Sequence, residues 1–314
     1  MVSHRLASEA SERTDDMVLP FQVESSRLRG RLVRLGATAE GILRRHGYPD
    51  EVLTLLGEGM ALAAVLANAL KFDGTFTLQT RGDGPVSMLA VDYGSNGRLR
   101  AYANFDRPAF AALGAEAPGS GPRAPVPRLL GTGHLAFTVD QGDGSDRYQG
   151  IVELAGATLA DCAHAYFQQS EQIGAGICLA AGLVPDGTWR AGALMIQRLP
   201  PASTVVEDEA ADDDWRRVLA LLGSVTRDEL LDPALKPNNL LYRLFHQEGV
   251  RVWAAKPLEP GCTCSRQRVR KLLRSFPRAE LVAMVVDGRI IATCEFCTSV
   301  YDFNADKILA SAEA

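Results

Sequence analysis

The chain has no excess of positive charge: its 314 residues carry 33 Lys and Arg against 38 Asp and Glu, for a net charge of −5. That balance argues against a general nucleic-acid binder, whose phosphate contacts need a clustered basic surface. A membrane-length apolar run is also missing. The longest, Met60 to Leu70, is interrupted by Asn68 and falls well short of the roughly 20 residues that a helical span needs. Residues 1–16 are polar and charged, so the expectation is a soluble, cytoplasmic protein with neither signal peptide nor membrane partner. Enzymic machinery is missing too. The histidines, at 4, 46, 134, 164 and 246, have no ligand spacing, and no nucleophile with its base is visible. The glycine turns Gly82-Asp83-Gly84-Pro85 and Gly94-Ser95-Asn96-Gly97 do not fit the strand, loop and helix order of a phosphate cradle. The chain reads as something other than an enzyme.

What is present is a set of closely spaced thiols. Cys262 and Cys264 form one pair, Cys294 and Cys297 another. Zinc in structural sites is tetrahedral and takes four cysteine sulfurs from two short chelating turns, so the four residues are candidate ligands for one Zn2+ per chain. Cys294-x-x-Cys297 is the common knuckle spacing; Cys262-x-Cys264 is a tighter chelate and the more unusual half. The same spacing admits a disulfide within each pair once the metal leaves. Residues two apart hold their Cα atoms near the upper end of the roughly 4.4–6.8 Å that disulfides tolerate, so a Cys262–Cys264 bridge would be strained and easily reduced. On spacing alone, a purely structural zinc site is the simpler alternative to a redox switch. Cys162 and Cys178 lie in apolar contexts and read as buried core thiols. His246 stands near the first pair, but four cysteines already complete a tetrahedron. Arg266, Arg268, Arg270, Lys271 and Arg274 read as a solvated helix face that offsets a negative tetrathiolate.

The pattern along the chain predicts an α+β fold with three parts after a polar extension at residues 1–16. A mixed strand and helix core spans 17–204. Its strands are expected within Phe21 to Leu35, then at Phe76 to Arg81, Val86 to Tyr93, Leu99 to Phe105, His134 to Val139 and Tyr148 to Leu154. Ala37 to Leu70 reads as two helices broken near Gly47 to Pro49. Gly114 to Pro127 reads as an exposed loop, and Thr158-Leu159-Ala160-Asp161 as a capping box opening a helix. Apolar stretches at Ile177 to Val184 and Ala191 to Leu199 complete the core. A helical linker follows at 205–256. It begins with six acids in the eight positions from Glu207 to Asp214 and continues with short apolar clusters that Pro233 and Pro237 interrupt. Isolated helices under about 12–15 residues are marginal in water, so this metastable segment must lean on its neighbours. The last part, 257–314, holds the cysteines and is too small to fold confidently without metal. Structural zinc supplies on the order of 10–16 kcal/mol to such units. Oxidising two ligands should therefore unfold this part and the linker beside it, exposing apolar surface that could hold other unfolded chains.

Several strings resemble the bacterial heat shock protein 33 family. They are Cys262-Thr263-Cys264-Ser265-Arg266, then Cys294-Glu295-Phe296-Cys297 with Tyr301-Asp302-Phe303-Asn304, together with Glu229-Leu230-Leu231 and the run Leu241 to His246. In the core, YFQQSEQ at 166–172 and AGALMIQRLP at 191–200 resemble two of its signature segments. The resemblance implies an ATP-independent holdase chaperone that protects against oxidative and heat-induced aggregation. In such proteins the reduced cysteines bind zinc and the chaperone is inactive. Oxidation forms neighbouring disulfides, here Cys262 with Cys264 and Cys294 with Cys297, and the protein then forms a homodimer that binds unfolding clients. The alternative of a different class is a constitutive zinc module contacting RNA or the ribosome.

Overall fold

A computed structural model describes residues 14–24, 28–114, 124–142, 147–171, 173–199 and 209–310. The chain opens with a hairpin, β1 (Met17–Val23) and β2 (Leu28–Leu35), followed by helices α1 (Ala37–Leu43) and α2 (Asp50–Ala67). A meander follows: β3 (Thr75–Gly82), β4 (Val86–Gly94) and β5 (Arg98–Phe105). After α3 (Arg107–Ala112) come β6 (Gly133–Asp140), β7 (Tyr148–Glu153), α4 (Leu159–Tyr166), β8 (Ala175–Leu183) and β9 (Trp189–Arg198). Helices α5 (Glu209–Gly223), α6 (Arg227–Leu231) and α7 (Pro237–Phe245) precede the short strands β10 (Val250–Val252), β11 (Lys256–Pro257) and β12 (Glu259–Pro260). The rest is α8 (Arg266–Arg274), α9 (Arg278–Ala283), the hairpin β13 (Arg289–Thr293) and β14 (Val300–Asn304), and α10 (Ala305–Leu309). The fold is α+β, as the segregated helical and strand patterns predict. Two compact units emerge, 1–260 and 261–314.

The first unit is built on two sheets. One runs β10-β1-β2-β9-β8, with β11 also on β1; the other runs β12-β5-β4-β3-β6-β7. Helix α2 packs against both. It is apolar nearly all round, burying Leu56, Met60, Ala61 and Leu62 among others, because both of its long sides face a sheet. Strand alternation assigns β2 to two cores at once: Leu28 and Leu32 point to one cluster, Val33 and Leu35 to the cluster around α2. Thr158 caps α4 with Asp161 answering in the reciprocal position, the capping box expected there.

The outer face of the first sheet carries α5, α6 and α7. Val218, Leu222, Leu230, Leu231, Leu240, Leu241, Leu244 and Phe245 are buried there against Met17, Phe21, Leu32, Leu194 and Ile196. Two glycines make the seat. A Cβ on Gly30 would meet the Phe21 ring at 2.0 Å, and Phe21 stacks on Phe245 with ring centroids 5.7 Å apart. A Cβ on Gly176 would meet Leu219 and Leu222, both at 2.7 Å. Buried Arg34 gathers the end of α6, donating to the carbonyls of Glu229 (2.8 Å), Asp232 (2.9 Å) and Leu235 (2.6 Å). Arg190 adds a bond to the Leu231 carbonyl at 2.7 Å and pairs with Asp15 at 2.6 Å.

Some sequence expectations need correction. Asp15 and Asp16, grouped with the polar extension, are tied into the core: Asp16 Oδ1 accepts from the amides of Gly36 (3.0 Å) and Thr38 (2.9 Å). The supposed loop to Pro127 ends in a helical turn at Val126–Leu130 whose Val126, Leu129 and Leu130 are fully buried. Residues 115–123 of that segment lie outside the described residues, as do residues 1–13 and the 204/205 boundary drawn for the linker. Among the described residues no helix is long and apolar enough to cross a membrane.

Candidate metal centre

Among the described residues the second unit has a small core of Leu273, Leu281, Ile290, Phe303, Ala305 and Ile308, with a few half-buried residues around it. Around this core two chain segments present the thiols. Cys262 and Cys264 lie in the irregular stretch that leads into α8, which Ser265 caps by accepting from the Arg268 amide at 3.2 Å. Cys294 and Cys297 lie in the turn that joins β13 to β14. That turn is closed by Cys294 N–H to the Ser299 carbonyl at 3.0 Å and Thr298 N–H to the Cys294 carbonyl at 2.8 Å. Thr298 takes φ +58°, the left-handed conformation that reverses the chain within the knuckle.

All four Sγ atoms lie within 4.8 Å of one another. Cys262 and Cys294 are 3.7 Å apart, Cys264 and Cys297 3.3 Å, so each close contact joins one segment to the other. A tetrahedron with metal–sulfur bonds of about 2.3 Å has edges of about 3.8 Å, which is the scale of this cluster. Four thiols, each half-buried, could hold a metal ion, and the donor set suits a soft or borderline cation.

Local chemistry divides the thiols. Burial pushes Cys264 up to about 12, although the Tyr301 hydroxyl donates to its sulfur across 3.0 Å and works the other way. Burial also raises Cys294, with the amides of Cys297 and Phe296 opposing it. At Cys297 burial is outweighed by the hydroxyl and amide of Ser299 and by the neighbouring thiols, and the group falls to about 6. Tyr301 is itself pushed up to about 12, chiefly by its bond to Cys264. Spacing could not reveal Ser299 and Tyr301 as partners, because their contacts arise only when the hairpin closes.

The basic run behaves as a solvated face. Arg270, Lys271 and Arg274 are exposed on α8, while Arg266 lies over the Phe303 ring at 4.6 Å and donates to the Asp302 carbonyl at 2.6 Å. His246 is engaged at the end of α7, its Nδ1 3.1 Å from the Tyr242 carbonyl. Cys162 is fully buried. Cys178 is not: it is half-buried, its thiol donating to the Leu222 carbonyl at 3.5 Å, because β8 meets α5 there without sealing it.

A family model described as Hsp33 protein matches residues 16–304. A 33 kDa chaperonin of Caulobacter vibrioides is 43% identical over 296 residues, covering 91% of this chain and 94% of the relative. One from Pseudomonas fluorescens is 38% identical over 292 residues, covering 92% and 91%. Among solved structures, the 33 kDa chaperonin (heat shock protein 33 homolog) of Thermotoga maritima superposes with a TM-score of 0.76. It covers 94% of this chain and 98% of that one at 20% identity, a likeness of fold.

Proposed function

Because the chain belongs to the Hsp33 family, we propose that it is an ATP-independent holdase chaperone, inactive when reduced and switched on by oxidation of Cys262, Cys264, Cys294 and Cys297. The observation that carries this reading is the convergence of those four sulfurs within 4.8 Å from two separate segments. Zinc held by these four residues would tie the Cys262–Cys264 segment to the β13–β14 turn and contribute on the order of 10–16 kcal/mol of folding free energy. Six buried apolar residues offer little to replace it.

Oxidation then withdraws the donors. Cys294 and Cys297 give up two electrons to one peroxide, whose O–O bond breaks to form two waters as the S–S bond forms. Cys262 and Cys264 do the same with a second peroxide. In this reading the unfolding spreads along the chain to α5, α6 and α7, which leave the sheet and uncover surface around Phe21, Leu32, Leu194 and Ile196. That apolar surface receives unfolded or partly unfolded clients in the cytoplasm, and a homodimer of the oxidised chain enlarges it. No reaction on the client is involved.

The test compares reduced and peroxide-treated protein as suppressors of a thermally aggregating client, followed by light scattering. Suppression by the oxidised form only, reversed by thiol reductant, is the expected result. Equal activity of both forms, or of neither, would sink the switch. Equal inactivity together with RNA binding by the reduced form would favour the constitutive zinc module, with α8 as its contact.

A further inference from the structure

A cavity of about 220 Å³ lies between the two sheets of the first unit, beside the chain that leaves α2 at Ala69 and Leu70. One side is aromatic. Phe76 and Phe137 stack at 6.2 Å, and Tyr166 meets Phe137 edge-on at 4.9 Å, with Phe167 beside it. The other side is cationic. Arg29 and Arg31 stand two apart on β2, hence on one face, and both line the cavity.

Arg29 is exposed at the rim, whereas Arg31 is half-buried and has no ionic partner among the described residues. Arg31 donates from Nε to the Asn68 carbonyl at 2.7 Å and from Nη1 to the Gln197 side-chain oxygen at 2.9 Å, both neutral acceptors. Among the described residues no carboxylate pairs with Arg29 or Arg31, and the third lining cation, Arg198, is already paired with Asp212 at 2.6 Å. Burial, and then the like charge of Arg29, pull Arg31 down to about 10. A half-buried guanidinium satisfied only by neutral acceptors is further stabilised when an anion completes the site.

We propose that this cavity is a binding site for a small monocarboxylate with an apolar body, an aryl or short acyl acid. Its carboxylate is received by Arg31 and Arg29, and its body lies against Phe76, Phe137, Tyr166 and Phe167. Guanidinium forks match carboxylates in bidentate geometry. Size sets the scale of the ligand: benzene fills a cavity of ~150 Å³, so this one accommodates about nine non-hydrogen atoms, the size of benzoate. A bare inorganic anion would leave the aromatic wall unused, and a neutral aromatic would leave the arginines unpaired.

The test titrates the full-length reduced protein with benzoate, benzyl alcohol and inorganic phosphate by calorimetry, and locates the bound ring by nuclear Overhauser contacts. Benzoate is expected to bind at least tenfold more tightly than either of the others, with contacts to Phe137 and Tyr166. Arg31→Gln should reduce benzoate to the affinity of the alcohol, while Ala69→Leu, which fills the cavity and keeps the charge, should remove both aromatics. Comparable affinity for benzoate and benzyl alcohol, phosphate binding as tight as benzoate, ring contacts elsewhere, or undiminished benzoate binding by Arg31→Gln would each overturn the proposal. If Arg31→Gln does not fold, the wild-type comparison and Ala69→Leu decide it.

Discussion

At the scale of single residues, the chemistry that needs particular atoms is the most legible in sequence. Only cysteine offers four soft donors at such spacings, so Cys262, Cys264, Cys294 and Cys297 stand out before any fold is known. Their partners do not, since a serine two positions on and a tyrosine in the next strand are ordinary until Ser299 and Tyr301 meet the sulfurs. Arg34 was equally hidden: an arginine on a strand reads as surface, yet this one is buried and gathers three carbonyls of the α6 end. Replacing Cys294 by Ser removes one of the four donors. Zinc affinity should fall by at least tenfold in a chelator competition, and the reduced variant should show partial holdase activity; unchanged affinity would exclude Cys294 as a ligand. Glu58 on α2 supplies a pH prediction. Burial pushes its carboxyl up to about 7, with Arg227 opposing, from an ordinary value near 4.5. A raised folded value means that stability is fullest below about pH 4.5 and declines as pH rises through about 7, by roughly 3 kcal/mol. Glu58→Gln should therefore raise the melting temperature at pH 8 and leave it little changed at pH 5; an equal shift at both values would contradict this.

Among the elements, the hairpins and α2 follow from patterns that act over a few residues. Alternation marks β3, β4 and β5, glycine turns separate them, and the continuous apolar surface of α2 announces a helix buried on both sides. The turn at Val126–Leu130 was missed because Pro125, Pro127 and Gly131 punctuate it like a loop, while its burial depends on strands distant in sequence. The seat of α5, α6 and α7 is also non-local: leucines at helical spacing predict an apolar face, but Gly30 and Gly176, which make room for it, are far upstream. These helices are 15, 5 and 9 residues long, at or below the length that is stable alone. Limited proteolysis should therefore cut between Val205 and Val250 readily after peroxide treatment and slowly before it. Equal cutting of both forms would break the link between the cysteines and the linker.

For the whole molecule, composition sets expectations and assigns little. The α+β class follows from the order of patterns. The pairing of the strands into two sheets on either side of α2 does not, because β9 joins β2 across more than 150 residues of intervening chain. The two units differ in what sustains them: 1–260 has two extensive apolar clusters, whereas 261–314 has one small cluster and four thiols. That disparity is the physical basis for placing the proposed switch in the smaller unit. The most direct measurement is a peroxide titration of zinc-loaded protein at raised temperature, with released zinc and suppression of client aggregation read in the same samples. Suppression should rise in proportion to the zinc released and disappear on reduction with zinc restored; suppression without zinc loss, or full zinc loss without suppression, would contradict the role given to the four cysteines.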